Sequence, residues 1–511
     1  MLIDIFRVIF LIAVILISTS VFIFRFSYIK HDKFFNRFHV LLFSFIFSII
    51  ILILSPNIIR ILLGWDGLGI SSYLLVIYYS RNKSYNAGII TFSRNRVGDA
   101  LIIVRLVYLI YSIRTDISRL YYFIEFDYYW VIVVLLFAAC TKRAQIPFRA
   151  WLPAAIAAPT PVSSLVHSST LVTAGVYLIF RFDFMLIYFR INKILLLLGV
   201  LTILIARIRA FFEKDIKKIV ALSTLRQLGV IITSLGAGFS LLGFFHLLSH
   251  AFFKALLFVR AGRLIHNSNR YQDLRKIGGS ADVLPLTKRI IIGCLIRLCG
   301  LPFISAFYSK EIIIESLLIF NMSFISYFII TLGIFITIFY RLRFLCVSIR
   351  WWPRQFILCF KRDSDFLTNL RIILLFLPAI SGGRIIRRYI KFNFFILISF
   401  KIKIFVLLLL TFSLFVFWNS YFYLSNLSTL GIWNIRNLWG LPFIRARLPL
   451  FLFLNKGDML FKIVDYSWVY YIFCNVFNRK IFNKFLFMNK FFIRVIRTRM
   501  MIFLFLFIFL K

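Results

Sequence analysis

Acidic residues are scarce in this sequence. Its 511 residues include 18 Asp and Glu against 61 Lys and Arg, and only 15% of residues are charged. In a water-soluble domain roughly a quarter of the residues are charged. With 62% hydrophobic residues and a mean hydropathy of +0.93, the chain would expose too much apolar surface in water. A soluble globular fold is therefore excluded.

Signatures of bound cofactors and metals are also missing. The six cysteines form no Cys-x-x-Cys pair, and zinc and iron–sulfur sites need clustered thiolates. Neither a phosphate-binding loop nor a His-Glu-x-x-His motif occurs. We predict that the chain itself binds no cofactor and no metal.

Long apolar runs fill most of the chain. About twenty apolar residues cross a bilayer as one helix, and by that measure we count roughly fourteen to sixteen runs. Examples are residues 2–24, 40–54, 58–79, 129–139, 194–206 and 394–417. These runs predict an all-α polytopic membrane protein. No amphipathic transit segment precedes the first run, and a mitochondrial protein without one would be encoded inside the organelle.

Two proline-containing stretches interrupt the helical pattern, at residues 145–168 and 300–310. Proline removes a backbone donor and breaks a helix, and in lipid the released carbonyls must face protein or water. Lys142 precedes the first break, and Lys310 is the last residue of the second. Paired interrupted helices are typical of transporters built from inverted repeats.

Ionisable side chains inside apolar runs are functional candidates because hydrocarbon penalises their insertion. His246, His250 and Lys254 are spaced by four residues, so they share one helix face and favour a buried wet path. The other candidates are Asp66, Asp99, Lys142, His167, Lys310 and Glu311. Asp66 could instead cap a helix or pair with an arginine, and His167 could be a hydrogen-bonded core histidine.

Proton transfer through such groups is energetically feasible. Burial lowers the pKa of a lysine, and a nearby carboxylate opposes that shift. A fall from about 10.4 to 7 corresponds to roughly 4.6 kcal/mol. Moving one charge across 100 mV corresponds to about 2.3 kcal/mol, so one switched lysine–carboxylate pair is large enough to drive one proton. By contrast, we predict that Lys217 and Lys218 lie in an ordinary solvated loop.

Several segments together resemble the antiporter-type membrane subunits of respiratory complex I, closest to the subunit 5 branch. They cover about residues 60–315. They are Gly-Trp-Asp-Gly-Leu-Gly-Ile-Ser-Ser-Tyr at 64–73, Ser-Tyr-Asn-Ala-Gly at 84–88, Asn-Arg-Val-Gly-Asp at 95–99, the long stretch 151–175 with Trp-Leu-Pro-Ala-Ala at 151–155 and Pro-Thr-Pro-Val-Ser-Ser-Leu-Val-His at 159–167, Asp-Ile-Lys-Lys-Ile-Val-Ala-Leu-Ser-Thr at 215–224, His-Ala-Phe-Phe-Lys-Ala-Leu-Leu-Phe at 250–258 and Phe-Tyr-Ser-Lys-Glu at 307–311.

The resemblance implies a bundle of two inverted repeats and a role for each candidate. Asp66 and Lys142 would form the acid–lysine pair, although aspartate is one methylene shorter than the usual glutamate. The remaining roles are a central hydrophilic axis of His167, His246, His250 and Lys254, a distal lysine at Lys310 next to Glu311, and a further acidic position at Asp99.

The C-terminal part differs, because Lys, Asp and Asn alternate with aromatic residues over 454–489 and predict an amphipathic helix. The resemblance implies that this lateral helix lies along neighbouring antiporter-type subunits. We divide the chain into N-terminal membrane helices (1–56), an antiporter-like proton-translocating core (57–350), C-terminal membrane helices (351–453), and the lateral helix with a terminal membrane segment (454–511).

The implied function is that of a core membrane-arm subunit of complex I in the mitochondrial inner membrane. It would translocate protons while other subunits, holding NADH, FMN, iron–sulfur clusters and ubiquinone, transfer electrons from NADH to ubiquinone. The expected partners are the other membrane-arm subunits and the lipid bilayer. Two alternatives stay open: a subunit of a multisubunit sodium/proton antiporter with the same motifs, and a membrane scaffold without transport.

Basic residues are unusually numerous, giving a formal net charge of +43. A soluble protein with this charge would suggest nucleic acid, but here the basic residues are scattered through apolar helices, so we predict no nucleic-acid partner. An arginine at the centre of a membrane helix costs roughly 2.5–3.5 kcal/mol, and the carboxylates are too few to pair them all.

The resemblance offers an explanation for these arginines. Six fall where the family has serine or another small residue: Arg143, Arg149, Arg226, Arg263, Arg297 and Arg341. Three fall where it has arginine: Arg96, Arg181 and Arg343. Because some mitochondrial genetic codes read AGA and AGG as serine, we hypothesise that many of these arginines are serine in the working protein.

Overall fold

The structure is a computed structural model that describes the chain in segments. They are residues 4–29, 32, 34–111, 128–146, 148–149, 151–166, 170–268, 271–274, 284–300, 305–319, 324–349, 374–383 and short pieces between 404 and 416. All belong to the first of two compact units, Met1–Arg436. The predicted lateral helix at 454–489 lies outside the described residues.

Helices dominate the described part of the chain. They are α1 Ile5–Tyr28, α2 Phe35–Leu54, α3 Ile58–Ile77, α4 Asn82–Tyr111, α5 Tyr128–Lys142, α6 Trp151–Ala155, α7 Thr160–Val166, α8 Leu171–Arg181, α9 Asp183–Tyr188, α10 Asn192–Phe212, α11 Ile216–Gly236, α12 Ser240–Asn267, α13 Pro285–Cys299, α14 Ser305–Ile319 and α15 Phe324–Ile349. Eight described spans are long and apolar enough to cross a membrane. The predicted all-α polytopic membrane class is confirmed.

Three of these spans form the centre of the bundle. Every described residue in the apolar windows of Thr160–Arg181, α11 and α12 is buried, whereas only 44–50% is buried in the windows of the outer spans. The outer helices expose large apolar side chains such as Phe43 and Phe47 of α2. Such an apolar surface suits lipid. Many of the buried polar side chains lie on the three central spans.

Close helix packing holds α11 in place. A Cβ atom added to Gly199 of α10 would lie 2.9 Å from the backbone nitrogen of Thr233, and one added to Gly236 would lie 2.6 Å from that of Leu196. Small residues allow membrane helices to approach closely through their backbones. The position of α11 relative to α10 is therefore fixed by backbone contact.

The first predicted break separates the short helices α6 and α7, and the carbonyl of Ala158 between them faces Lys217 Nζ at 3.5 Å. The second break is shorter than the predicted 300–310, because residues 305–310 are helical in α14. Gly300, the C-cap of α13, lies in the left-handed region with φ +91°, and residues 301–304 lie outside the described residues. A released carbonyl facing protein is what lipid requires. The relation of the two halves as inverted repeats stays a prediction.

Candidate functional site

One arginine joins the two predicted carboxylates of the first polar cluster. Arg96 Nη1 lies 3.1 Å from Asp66 Oδ1 and 3.7 Å from Asp99 Oδ2. Asp66 is on α3, and the other two residues are one turn apart on α4. The side chains of Arg96 and Asp66 are 47% and 35% exposed, whereas that of Asp99 is 7% exposed. Asp66 thus pairs with an arginine, as the alternative interpretation allowed.

Lys142 lies beside this cluster without joining it directly. It is the last residue of α5 and is fully buried, and its Nζ donates to the carbonyl of Trp65 at 3.0 Å. The same Nζ lies 5.0 Å from the centre of the Trp65 ring. Asp99 and then Asp66 are its strongest opposite charges, but neither carboxylate lies within 4.0 Å of it. The role predicted for the Asp66–Lys142 pair stays a prediction.

Gly98 lets α4 approach α5 beside Lys142. A Cβ atom at Gly98 would clash with Thr141 Oγ1 and lie 3.5 Å from the carbonyl oxygen of Ala138. A Gly98→Val change is expected to push the helices apart and separate Asp99 from Lys142. We expect it to reduce both the amount and the thermal stability of the assembled protein, measured after purification in detergent.

Gly293 supplies the matched control for this change. It is a helical glycine of α13, and an added Cβ would meet no heavy atom of the described residues within 4 Å, its own helix backbone aside. Gly293→Val is expected to leave the yield and the melting temperature close to those of the unaltered protein. Equal losses from both variants would contradict the steric explanation.

The predicted stripe on α12 is buried at the centre of the bundle. His246, His250 and Lys254 are all nearly inaccessible to solvent. Lys254 Nζ donates to the hydroxyl of Ser223 on α11 in a short hydrogen bond. The ring centres of His246 and His250 are 6.1 Å apart. Neither ring nitrogen of His250 has a hydrogen-bond partner among the described residues.

His246 is the best-connected member of the stripe. Its Nδ1 lies 3.0 Å from Ser309 Oγ on α14, and its Nε2 lies 3.3 Å from Gln227 Oε1 on α11. Ser249 Oγ lies 3.0 Å from Ser309 Oγ and donates to the carbonyl of His246 at 3.1 Å. The central polar side chains of α11, α12 and α14 are therefore joined by hydrogen bonds.

Lys310 and Glu311 lie next to this network on α14, and both are buried. A Cβ atom at Gly300 would lie 2.9 Å from Lys310 Nζ and 3.6 Å from Glu311 Oε1. The ammonium therefore lies at the C-terminal end of α13, where the helix dipole favours a cation. Glu315, one turn further along α14, is also buried and interacts electrostatically with Glu311.

Sequence reasoning missed several buried polar residues of the structure and predicted the wrong environment for Lys217. The missed residues are Ser223, Gln227, Ser249, Ser309, Glu315 and Asp183. The i, i+4 spacing of Ser223 and Gln227 on an apolar helix was an available signal. Lys217 was predicted to lie in a solvated loop; that prediction is wrong, because its side chain is buried against Ala158. Lys218 is half-buried, lies in the first turn of α11 and not in a loop, and pairs with Asp215 at 2.7 Å.

Asp183 is a titratable group outside the membrane spans. It opens α9, between the spans that end at Arg181 and begin at Asn192. Burial raises the pKa of Asp183 to about 6, and a hydrogen bond with Ser240 opposes the shift. His167, in contrast, lies outside the described residues.

Hydrogen bonding distinguishes the three family arginines from two of the six at small-residue positions, whereas Arg143, another of the six, donates to the carbonyl of Ala139 and to Cys140 Sγ. The three at positions where the resembled family has arginine all bond to acceptors: Arg96 to Asp66, Arg181 Nη1 to Asp4 Oδ2 at 2.6 Å, and Arg343 Nη2 to the carbonyl of Glu213 at 3.1 Å. Arg149 and Arg341 are buried, and among the described residues none of their guanidinium nitrogens has a hydrogen-bond partner. This contrast supports the serine hypothesis at those two positions.

No group of three or more metal-ligand side chains lies together within the described segments. Two cysteines there, Cys140 and Cys294, are buried and free. The titratable side chains described above are of the types that can bind and release protons.

Comparison with known proteins places this arrangement in a family. A family profile described as "NADH:quinone oxidoreductase/Mrp antiporter, TM" matches residues 55–337. The chain is 39% identical over 477 residues to NADH-ubiquinone oxidoreductase chain 5 of Locusta migratoria, covering 91% of this chain and 83% of the relative. It is 40% identical over 476 residues to the Aedes aegypti protein of the same name, covering 90% and 80%.

A third relative gives the same result. NADH-ubiquinone oxidoreductase chain 5 of Artemia franciscana is 39% identical over 456 residues, covering 88% of this chain and 81% of the relative. The resemblance inferred from the motifs is confirmed. The chain belongs to the family of NADH-ubiquinone oxidoreductase chain 5, whose membrane domain is of the type shared with the Mrp antiporters.

Proposed function

We propose that this chain translocates protons across a membrane as a subunit of the proton-pumping NADH:ubiquinone reductase, complex I. The observation that carries this proposal is the network of buried titratable and hydroxyl side chains joining α11, α12 and α14 at the centre of the bundle. Such groups are costly to insert into hydrocarbon, and in membrane proteins they commonly mark proton or ion pathways. NADH, FMN, iron–sulfur clusters and ubiquinone belong to other subunits.

The first cluster has the parts of an electrostatic switch. Arg96 holds Asp66 at 3.1 Å, while Lys142 rests on the Trp65 carbonyl. If Asp66 leaves Arg96 and approaches Lys142, the ammonium gains an opposite charge and keeps its proton. If Asp66 returns to Arg96, Lys142 loses that support and releases its proton into the central network.

The proposed partners follow from the exposure of this ion pair. Asp66 and Arg96 lie near the middle of α3 and α4, and both are partly exposed in the isolated chain. Hydrocarbon solvates an ion pair poorly, so a protein surface is expected to cover it. We propose that a neighbouring antiporter-type subunit of the membrane arm does so, in the mitochondrial inner membrane.

Replacing Asp66 with asparagine tests the proposed function. The change keeps the shape of the side chain and removes the charge that the switch moves. We expect the assembled complex in sealed vesicles to pump fewer protons per NADH oxidised, measured with a pH-sensitive dye. Asp32→Asn, in the connection between α1 and α2, is the control and is expected to keep the normal ratio.

The same preparation separates the two alternatives. A scaffold without transport predicts normal assembly and a normal pumping ratio in Asp66→Asn. A multisubunit sodium/proton antiporter, which the shared membrane-domain profile also covers, predicts that the chain purifies without quinone-linked NADH oxidation. Co-purification with that activity supports complex I and excludes the antiporter.

A further inference from the structure

Three hydrogen-bonding side chains surround His246 and have no role in the switch described above. Gln227 faces its Nε2 at 3.3 Å, Ser309 faces its Nδ1 at 3.0 Å, and Ser249 lies 3.0 Å beyond Ser309. All three are buried, as His246 is. They come from three different helices, so only the packing of α11, α12 and α14 brings them together.

Gln227 determines which ring nitrogen exchanges a proton. The amide oxygen of glutamine can only accept a hydrogen bond. The Nε2 atom that faces it must therefore carry its hydrogen in both the neutral and the charged imidazole. This leaves Nδ1 as the nitrogen that gains and loses a proton.

The hydroxyl groups of Ser309 and Ser249 can keep their hydrogen bonds whether the His246 imidazole is neutral or charged. When the imidazole is neutral, the Ser309 hydroxyl donates to Nδ1. When it is charged, Nδ1–H donates to Ser309, Ser309 donates to Ser249, and Ser249 donates to the carbonyl of His246, which it reaches at 3.1 Å. When Nδ1 gains or loses its proton, rotation of the two hydroxyl hydrogens is enough to restore the hydrogen bonds, because a serine hydroxyl both donates and accepts.

We propose that Gln227 and Ser309 are positioning residues that direct proton exchange at His246 through Nδ1 and the Ser309 hydroxyl. The proton then leaves or enters on the side of α14, the helix that carries Lys310 and Glu311. Without Gln227 the imidazole could exchange at either nitrogen and lose this direction. The proposal rests on the proposed function, because it assumes that His246 carries protons.

The test uses the assembled complex in sealed vesicles and two variants, Ser309→Ala and Gln227→Met. NADH oxidation and protons pumped per NADH are measured together. Both variants are expected to lose this subunit's share of pumping per NADH. Ser309→Thr, which keeps the hydroxyl, is expected to restore the ratio. The control is Ser93→Ala, an exposed serine that bonds only within α4.

The outcomes distinguish this proposal from the proposed function. A normal ratio in Ser309→Ala or in Gln227→Met overturns the positioning role, and so does a Ser309→Thr complex that fails as Ser309→Ala does. If the Ser309→Ala complex does not assemble, the pumping ratio of Gln227→Met alone tests the positioning role. A Lys142→Arg complex is measured alongside. If it pumps poorly while Ser309→Ala and Gln227→Met pump normally, only the positioning role is overturned. If all three variants pump normally, the positioning role and the proposed function are both overturned.

Discussion

A complex that carries Lys142→Arg is expected to assemble and to pump fewer protons for each NADH it oxidises. Lys142 is fully buried, and its ammonium donates to the Trp65 carbonyl at 3.0 Å and lies over the Trp65 ring. A guanidinium can make the same hydrogen bond and keeps the positive charge. Unlike an ammonium, it does not lose its proton in proteins. If Lys142 carries protons, this variant therefore pumps poorly. If Lys142 serves only as a fixed positive charge, the variant pumps normally.

Two further variants are needed to interpret the Lys142→Arg measurement. Lys142→Met removes the charge and is expected to lose pumping as well. Lys83→Arg is the control, because Lys83 is exposed in the first turn of α4. The readout is the ratio of dye-detected proton uptake to NADH consumed in vesicles with equal amounts of complex. Normal pumping with Lys142→Arg and lost pumping with Lys142→Met would show that Lys142 acts only as a fixed charge.

Peptides that span positions 149 and 341 are expected to contain serine, so trypsin should leave both sites uncut after denaturation. The side chain of Arg149 is 5% exposed and that of Arg341 is fully buried. None of their guanidinium nitrogens has a hydrogen-bond partner among the described residues. Each buried donor without a partner costs about 1–3 kcal/mol. Two such guanidinium groups would then consume much of the roughly 5–15 kcal/mol that stabilises a typical fold.

The surroundings of these positions strengthen the expectation. The main charged neighbour of Arg149 is another cation, Arg209. Arg226 and Arg341 both repel Lys254 of the central stripe. Serine at 226 and 341 would remove that repulsion.

Arg96 and Arg181 serve as internal controls for the digestion. Both form ion pairs with carboxylates, with Asp66 and Asp4 respectively, so we expect trypsin to cleave after each of them. Peptide masses from the same digest identify the residue at each site. Cleavage after position 341, or a peptide mass that requires arginine there, would end the serine hypothesis for the core.

Much of the architecture could be predicted because the signals are local. Hydropathy marked the spans, and prolines marked the break between α6 and α7. The four-residue spacing of His246, His250 and Lys254 placed them on one face of α12 before any contact was known. A helix has the same period wherever it packs, and a membrane allows few other structures.

Contacts between helices could not be predicted in this way. The family resemblance implied that Asp66 and Lys142 form a pair, but in the structure Asp66 contacts Arg96, and Lys142 donates to the Trp65 carbonyl. Lys217 sits in a charged sequence context typical of a solvated loop, yet its side chain is buried against the first broken helix. Both results depend on how neighbouring helices are rotated and offset.

The sequence by itself determined that this protein is a helical membrane bundle with titratable residues inside its spans, because composition and periodicity alone decide whether a segment prefers lipid. Only the tertiary structure decided which of those residues meet. Ser309 lies 63 positions from His246 and Gln227 lies 19. Hydrogen bonds require atoms within about 3 Å, and only the packing of α11, α12 and α14 brings such distant residues that close.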